Sequence, residues 1–534
     1  MAPRRSEAKR VGINSPPAKG LSVTIPAPLD ARLRAICDLN VFAARQDAGR
    51  HEYDGVLQDL SPAGVRRGLT ALGGPAGTVP YSDAHDEAHA AAVEDALRVR
   101  FGELELHRVN PLWHIENLDL SSYDREYAPE PERAVARLAH LRGWPAAVDA
   151  AVTALDRAPA PLAEATLPLA RGLASFVDPQ RGPVHADARV ALNRLLGHME
   201  QAAVSGPPSA ALGGTGLARL LGSAEACEVD LGELSARADA ERDRLRALRD
   251  ESLRRVGPHA EPADTLRALQ ADHPGPDQVL PEFEELVKET VAWAAEHRLT
   301  PYDDVEVQVR PMPDSQRRAL AGFFGAAPYE ADAPGRFYIS LPEPSWSEAE
   351  TEQWLSTGFN RTVLPNMAVH EVAPGHASHF RALRRATSDV RRTLQSEVFV
   401  EGWAHYCEEL ALEQGFRGAD PRVGVAVALD ALRRVTRFAC AIGLHTGAMT
   451  VADAAQRFAE DASLAGPAAE HEARRGLFDP TYGRYTWGKF AIVDLRRRAK
   501  ERWGNSFTLP RFHNALLDLG APPLGLLDTA LDRG

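Results

Sequence analysis

Over most of the chain, apolar residues recur every third or fourth position among charges, the spacing of one buried helix face. The stretches "PERAVARLAHLRGWPAAVDAAVTALDRA" and "DLGELSARADAERDRLRALRDESLRRV" come from a region of this kind that runs from about residue 27 to about residue 300, broken by Pro and Gly. It predicts amphipathic helices packed on one another, and the lack of a fixed-period repeat argues against a solenoid. Near residue 301 the period changes. In "DDVEVQVRPM", Val305, Val307 and Val309 alternate with polar residues, and "GRFYISLPEP" is a short aromatic and β-branched run, so both predict strands. In "PSWSEAETEQW", Ser345 stands three residues before Glu348 and Ser347 three before Glu350, two overlapping capping boxes that announce a helix. Helical spacing fills the C-terminal third, with a Pro/Gly-rich turn at "LFDPTYGRYTWGKF". The reading is a mainly α protein with a small antiparallel β-sheet. Residues 1–20 form a disordered tail, 21–300 a helical half and 301–534 a second half, the two halves making one continuous unit.

Composition narrows the class. With 44% hydrophobic and 25% charged residues, the 534-residue chain has ample apolar material for a packed core. Its formal charge of −13 gives neither nucleic acid nor an anionic membrane a basic face to dock on. Cys37, Cys227, Cys407 and Cys440 are too scattered for a zinc ribbon or redox pair and read as reduced, buried residues. The basic, Pro/Ser-rich N-terminus leads into no apolar signal segment, and nothing approaches the ~18 consecutive apolar residues of a membrane span. The expectation by default is a cytoplasmic protein.

The chemistry concentrates in "VHEVAPGHASHF", residues 369 to 380. In the usual His-Glu-x-x-His zinc helix the second histidine follows four residues after the first, but here that place is Pro374 and the next histidine is His376. Residues six apart on a regular helix are turned by about 120° and cannot grip one metal. Pro374 forbids the regular helix, because it has no amide hydrogen and clashes with the preceding turn, and Gly375 admits unusual dihedrals. Read as a two-residue insertion between Ala373 and His376, "PG" restores the pattern and returns His376 to the His370 face. A hydrolytic zinc usually takes three protein ligands. Glu401, opening "EGW" on what should be a second helix, completes a His₂Glu set, with Glu371 as base toward water.

Other candidates are weaker. His85 and His89 in "HDEAH" have i, i+4 spacing but sit in an acidic, Ala-rich stretch that reads as a solvated helix face. His379 and His405 lie off the required faces. "GGTG" at 213–216 lacks the Lys-Ser/Thr of a phosphate loop and reads as a turn. No Gly-x-Ser-x-Gly elbow is present.

"HEVAPGH", then "VEGWAHYCEEL", then "DPTYGRYTWGKFAIVDLRRRAK" resemble the bacterial domain-of-unknown-function family numbered 885, over about residues 30 to 525. That family looks like a mostly helical zincin, similar in architecture to carboxypeptidase Taq, the oligopeptidases and angiotensin-converting enzyme. The resemblance implies a zinc metallopeptidase with a channel between helical halves. His370, His376 and Glu401 would be its ligands, Glu371 its general base, and Tyr485 and His445 candidates to stabilise the oxyanion. Two positions depart from the family pattern: Ala377 replaces a second histidine, and Ala441 an acidic residue.

The expected activity is therefore hydrolysis of a peptide or small amide, carboxypeptidase- or oligopeptidase-like, with zinc as cofactor. The strand "GRFYISL" is a candidate edge for an extended peptide, and Arg434, Arg437, Arg484 and Arg496 are candidates for binding a terminal carboxylate. Two alternatives stay open: a non-haem iron oxygenase using the same triad, and a non-catalytic helical binding protein with a decayed site.

Overall fold

A computed structural model describes residues 27–301, 305–313, 317, 320–331, 333–464 and 466–534. The tail expected over 1–20 lies outside them. Helices dominate, as the 3.6-residue period requires. In the N-terminal half, helix Glu130–Ala154 turns Trp144, Val148 and Ala151 onto one face, where they meet Leu192 and Leu195 of helix Pro183–Ser205. Helix Leu231–Val256 lies along helix Arg422–Thr446. Leu234, Ala238 and Leu245 of the first share a core with Ala431, Val435, Phe438 and Ile442 of the second. Leu299 likewise packs with Phe399, Trp403 and Phe512, so the cores draw on both sides of residue 300.

Three strands form one sheet: β1 (Val307–Pro311), β2 (Ala321–Phe324) and β3 (Gly335–Ile339). β3 is central, parallel to β1 and antiparallel to β2, with Phe337 opposite both Val309 and Phe323. The sheet is therefore mixed, not antiparallel. "GRFYISL" offers no free edge to a peptide, because β1 and β2 take both of its sides; the outer strand beside the site is β2. The sheet's inner face packs on helix Val279–Glu296, where the Phe283 and Phe337 rings lie 5.0 Å apart edge to face. Of the two capping boxes, Ser347 with Glu350 forms and opens helix Glu348–Gly358.

Three other local readings change. "GGTG" opens helix Gly213–Glu225 instead of forming a turn. His85 and His89 are buried, so their helix face is a core face. Cys227 is half-buried, while the other three cysteines are buried. Among the described residues no helix is long and apolar enough to cross a membrane.

Candidate metal centre

Helix Leu364–Glu371 stops after the first histidine and its base, and helix His376–Arg385, "HASHFRALRR", starts at the second histidine. Between them the backbone amide of Gly375 donates to the carbonyl of Val369, and that of Ser378 to Val372, each six residues back instead of four. This is a two-residue expansion of the helix ladder, centred on Pro374-Gly375. Only glycine fits at 375, since a Cβ there would fall 1.9 Å from the His370 carbonyl oxygen. Trp403 clamps the break: its indole N–H donates to the carbonyls of Pro374 (3.0 Å) and Gly375 (3.3 Å).

The expansion turns the two imidazoles toward one another, centroids 4.8 Å apart and nearly perpendicular. Glu401 reaches the same point from helix Glu397–Glu413. Its Oε2 lies 3.5 Å from His370 Nε2 and 3.4 Å from His376 Nε2. Neither approach has hydrogen-bond geometry, and Glu401 Oε2 is a buried oxygen without a partner. Two ligands each 2.0–2.1 Å from a tetrahedral zinc stand about 3.4 Å apart. One ligand atom from each of the three residues falls within 4.8 Å of the others, so the donor set and spacing fit such an ion.

Behind the trio, His370 Nδ1 lies 2.6 Å from the Glu408 carboxylate, to which it donates, and this leaves Nε2 as the nitrogen facing Glu401. Glu408 is fully buried; it also takes hydrogen bonds from Arg434 (2.7 Å) and from His405 (3.2 Å). Burial alone would raise its pKa, but Arg434 and the two histidines hold it well below the usual carboxylate range. At His370, burial and Arg434 oppose a proton, yet Glu401 and Glu408 outweigh them and push its pKa up to about 9. The surroundings thus favour positive charge at this point, a proton or a metal ion. Glu408 was missed in the sequence; its signal was the seven-residue spacing from Glu401, two turns along one helix face.

Glu371 leans the other way, accepting the backbone N–H of Phe323 on β2 at 2.8 Å. Tyr485 stands at the start of helix Arg484–Trp503, its ring 5.5 Å from the Arg434 guanidinium and 5.7 Å from that of Arg437. Burial and the charge of Glu401 push its pKa up to about 12, so the phenol keeps its proton. Its approach depends on a glycine crossing: a Cβ on Gly402 would fall 2.4 Å from Gly488 Cα, and one on Gly488 2.0 Å from the Val398 carbonyl. The three letters of "EGW" therefore divide into a candidate ligand, a helix contact and a clamp.

His445 is not brought to the trio. It is buried eleven residues beyond Arg434 on the same helix, about 16 Å along the axis, with Nε2–H donated to the Gly476 carbonyl at 3.0 Å. With that donor committed to a backbone carbonyl, His445 is not presented to an oxyanion at the trio. His379 is buried, with Nε2 at 3.3 Å from the Gly520 carbonyl. Ala377 is buried in the core beneath the sheet, and the trio forms without a side chain there. Ala441 is also buried. The carboxylate partner for a histidine, which Ala441 lacks, is supplied by Glu408.

The sequence profile of a bacterial family of unknown function, DUF885, matches residues 43–531, and the chain belongs to that family. Two solved structures share the fold. One is a proposed lipoprotein of unknown function from Shewanella oneidensis, at TM-score 0.77 and 18% identity, covering 95% of this chain and 98% of its own. The other is a proposed lipoprotein from Colwellia psychrerythraea, at TM-score 0.76 and 16% identity, covering 94% and 98%. No functionally curated protein matches the chain.

Proposed function

We propose that this protein is a zinc-dependent hydrolase of peptide or related amide bonds. The observation that carries the reading is the convergence of His370, His376 and Glu401 at tetrahedral-edge spacing, with Glu371 beside them on a strand amide. A zinc ion held there would act as a Lewis acid toward water and the substrate carbonyl. Glu371 takes the proton of the attacking water and passes it to the leaving amine. The N–H of Phe323 holds the Glu371 carboxylate in place while leaving it one oxygen for this work. Tyr485, protonated at neutral pH, donates its hydroxyl proton to the developing oxyanion. Glu408 keeps His370 in the tautomer that presents Nε2. A free base beside the first ligand favours hydrolysis over oxygenase chemistry, which has no use for it.

The test is to expose a mixed peptide library to wild type and Glu371→Gln, with and without chelator. Cleavage that needs zinc and is lost in the variant supports the reading. Oxygen consumption with bound iron, or no cleavage under any condition, overturns it.

A further inference from the structure

The four arginines considered for a terminal carboxylate are all committed to carboxylates of the chain. Arg434 pairs with Glu408 at 2.7 Å, Arg437 with both oxygens of Glu472 at 2.7 and 2.8 Å, and Arg496 with Glu413 at 2.7 Å. Arg484 pairs with Asp479 and, at 3.1 Å, with Glu397. What stands open beside the trio is a cavity of about 150 Å³ between the sheet and helix His376–Arg385, partly exposed to solvent. Val305, Phe323, Pro334, Ala377 and Phe380 give it apolar walls. Glu306, Arg381 and Arg384 add charges of both signs, so no single charge dominates the lining.

Direct contacts tie this cavity to the candidate centre. Phe323 lines it, and the N–H of the same residue donates to Glu371 at 2.8 Å. Phe380 stands one helical turn past His376. Its ring centroid lies 6.1 Å from that of His376 and 6.0 Å from that of Phe323, with which it stacks at 29°. Ala377 follows His376 directly. The cavity thus begins at the candidate base and the second candidate ligand, and a substrate with its carbonyl at the trio has a neighbouring side chain within reach of it. Small residues shape the space. A Cβ on Gly335 would fall 2.4 Å from Phe323 Cζ, and one on Gly325 3.1 Å from Phe323 Cε1, so glycine at both places gives that ring its room. The single methyl of Ala377 leaves open what a longer side chain would fill. Arg384 fastens the wall, donating to the carbonyls of Ala327 (2.6 Å) and Glu330 (3.2 Å) in the loop after β2. A pocket held in this way needs little ordering when it is filled. An apolar cavity of this size takes one benzene-sized group, and a pair of stacked rings favours a third.

We propose that this cavity is the subsite for an aromatic side chain next to the scissile bond, so that the hydrolase prefers peptides or acylated amino acids carrying such a residue there, with Ala377 and Phe380 setting the size accepted. The reaction rests on the hydrolase reading, but the pocket is tested by binding alone. Full-length protein, kept from turnover by a chelator, is titrated by calorimetry with capped tripeptides Ala-X-Ala in which X is Phe, Trp, Ala, Glu or Lys. Wild type is expected to bind the Phe peptide roughly tenfold or more tightly than the Ala peptide, with Trp no better than Phe and with Glu and Lys gaining nothing over Ala. Ala377→Leu should erase the Phe preference. Phe380→Ala should transfer it to Trp, a change of size preference that general damage to the fold does not produce. Circular dichroism and zinc content, measured without chelator, should match wild type in both variants. Equal binding of the Phe and Ala peptides, tighter binding of Glu or Lys, or a Phe preference untouched by both substitutions would overturn the proposal. If Ala377→Leu does not fold, Phe380→Ala decides alone, and a preference that stays with Phe overturns it. Loss of the pocket's preference leaves the zinc and Glu371 test as it stands, and absence of cleavage leaves the binding preference as it stands.

Discussion

Glu408 accepts the Nδ1 proton of His370 at 2.6 Å from a position two turns beyond Glu401 on the same helix, so one helix supplies both a candidate ligand and the orienting partner of another. Glu408→Gln keeps the shape but weakens the charge-assisted bond and leaves Arg434 uncompensated. Zinc affinity, measured by competition with a chelating dye, should fall about 10- to 100-fold. The melting temperature should fall as well, because a buried partner of Arg434 is lost.

The crossing of Gly402 and Gly488 sets the distance between Glu401 and Tyr485. A methyl group at 488 would lie 2.0 Å from the Val398 carbonyl, so Gly488→Ala forces the helices apart. We expect a loss of about 1–3 kcal/mol or more in chemical denaturation. Any cleavage activity should fall mainly in kcat, since the role proposed for Tyr485 is exerted in the transition state.

Trp403→Phe keeps an aromatic ring, though a smaller one, and removes the N–H that clamps the carbonyls of Pro374 and Gly375. The cost should be about 1–3 kcal/mol of stability. Faster backbone hydrogen exchange confined to residues 372–378 would locate the effect; exchange unchanged there would sink the clamp.

Stability should depend on pH from both sides. His89 and His140 are buried and neutral, burial pushing each pKa down to about 3. The unfolded chain takes these protons first. Their contribution is therefore present above about pH 6.5 and is lost as pH falls toward 3, each by up to about 1.4 kcal/mol per pH unit. His51 has the opposite sign. Burial opposes its charge, but Asp54 and Glu330 at 3.2 Å outweigh this and push its pKa up to about 9. Its contribution, about 3 kcal/mol at most, is complete below about pH 6.5 and is lost as pH rises through 9. Denaturation across pH 4–10 should show His89→Leu flattening the acid limb and His51→Gln the alkaline limb.

Much of the site was legible because it rests on local backbone chemistry. Pro374 cannot donate to the helix ladder, and this alone located the expansion between Ala373 and His376. The valine alternation marked β1, and the aromatic run marked β3. β2, "AGFF", was not legible, since it is four residues long and half Gly and Ala. Nor was the sheet's direction, because parallel pairing of β1 with β3 depends on how the intervening chain crosses. His445 shows the same limit: its place depends on which helix faces which, and its ring is committed to the Gly476 carbonyl of a neighbouring helix.

The central claim is that His370, His376 and Glu401 hold one metal ion. The direct measurement is zinc per chain by mass spectrometry of elements, after reconstitution and gel filtration, for wild type, His376→Ala and Glu401→Ala, with circular dichroism confirming that each is folded. One zinc per wild-type chain, lost in both folded variants, is the predicted result. Wild type without stoichiometric metal, or folded variants that retain it, would contradict the account.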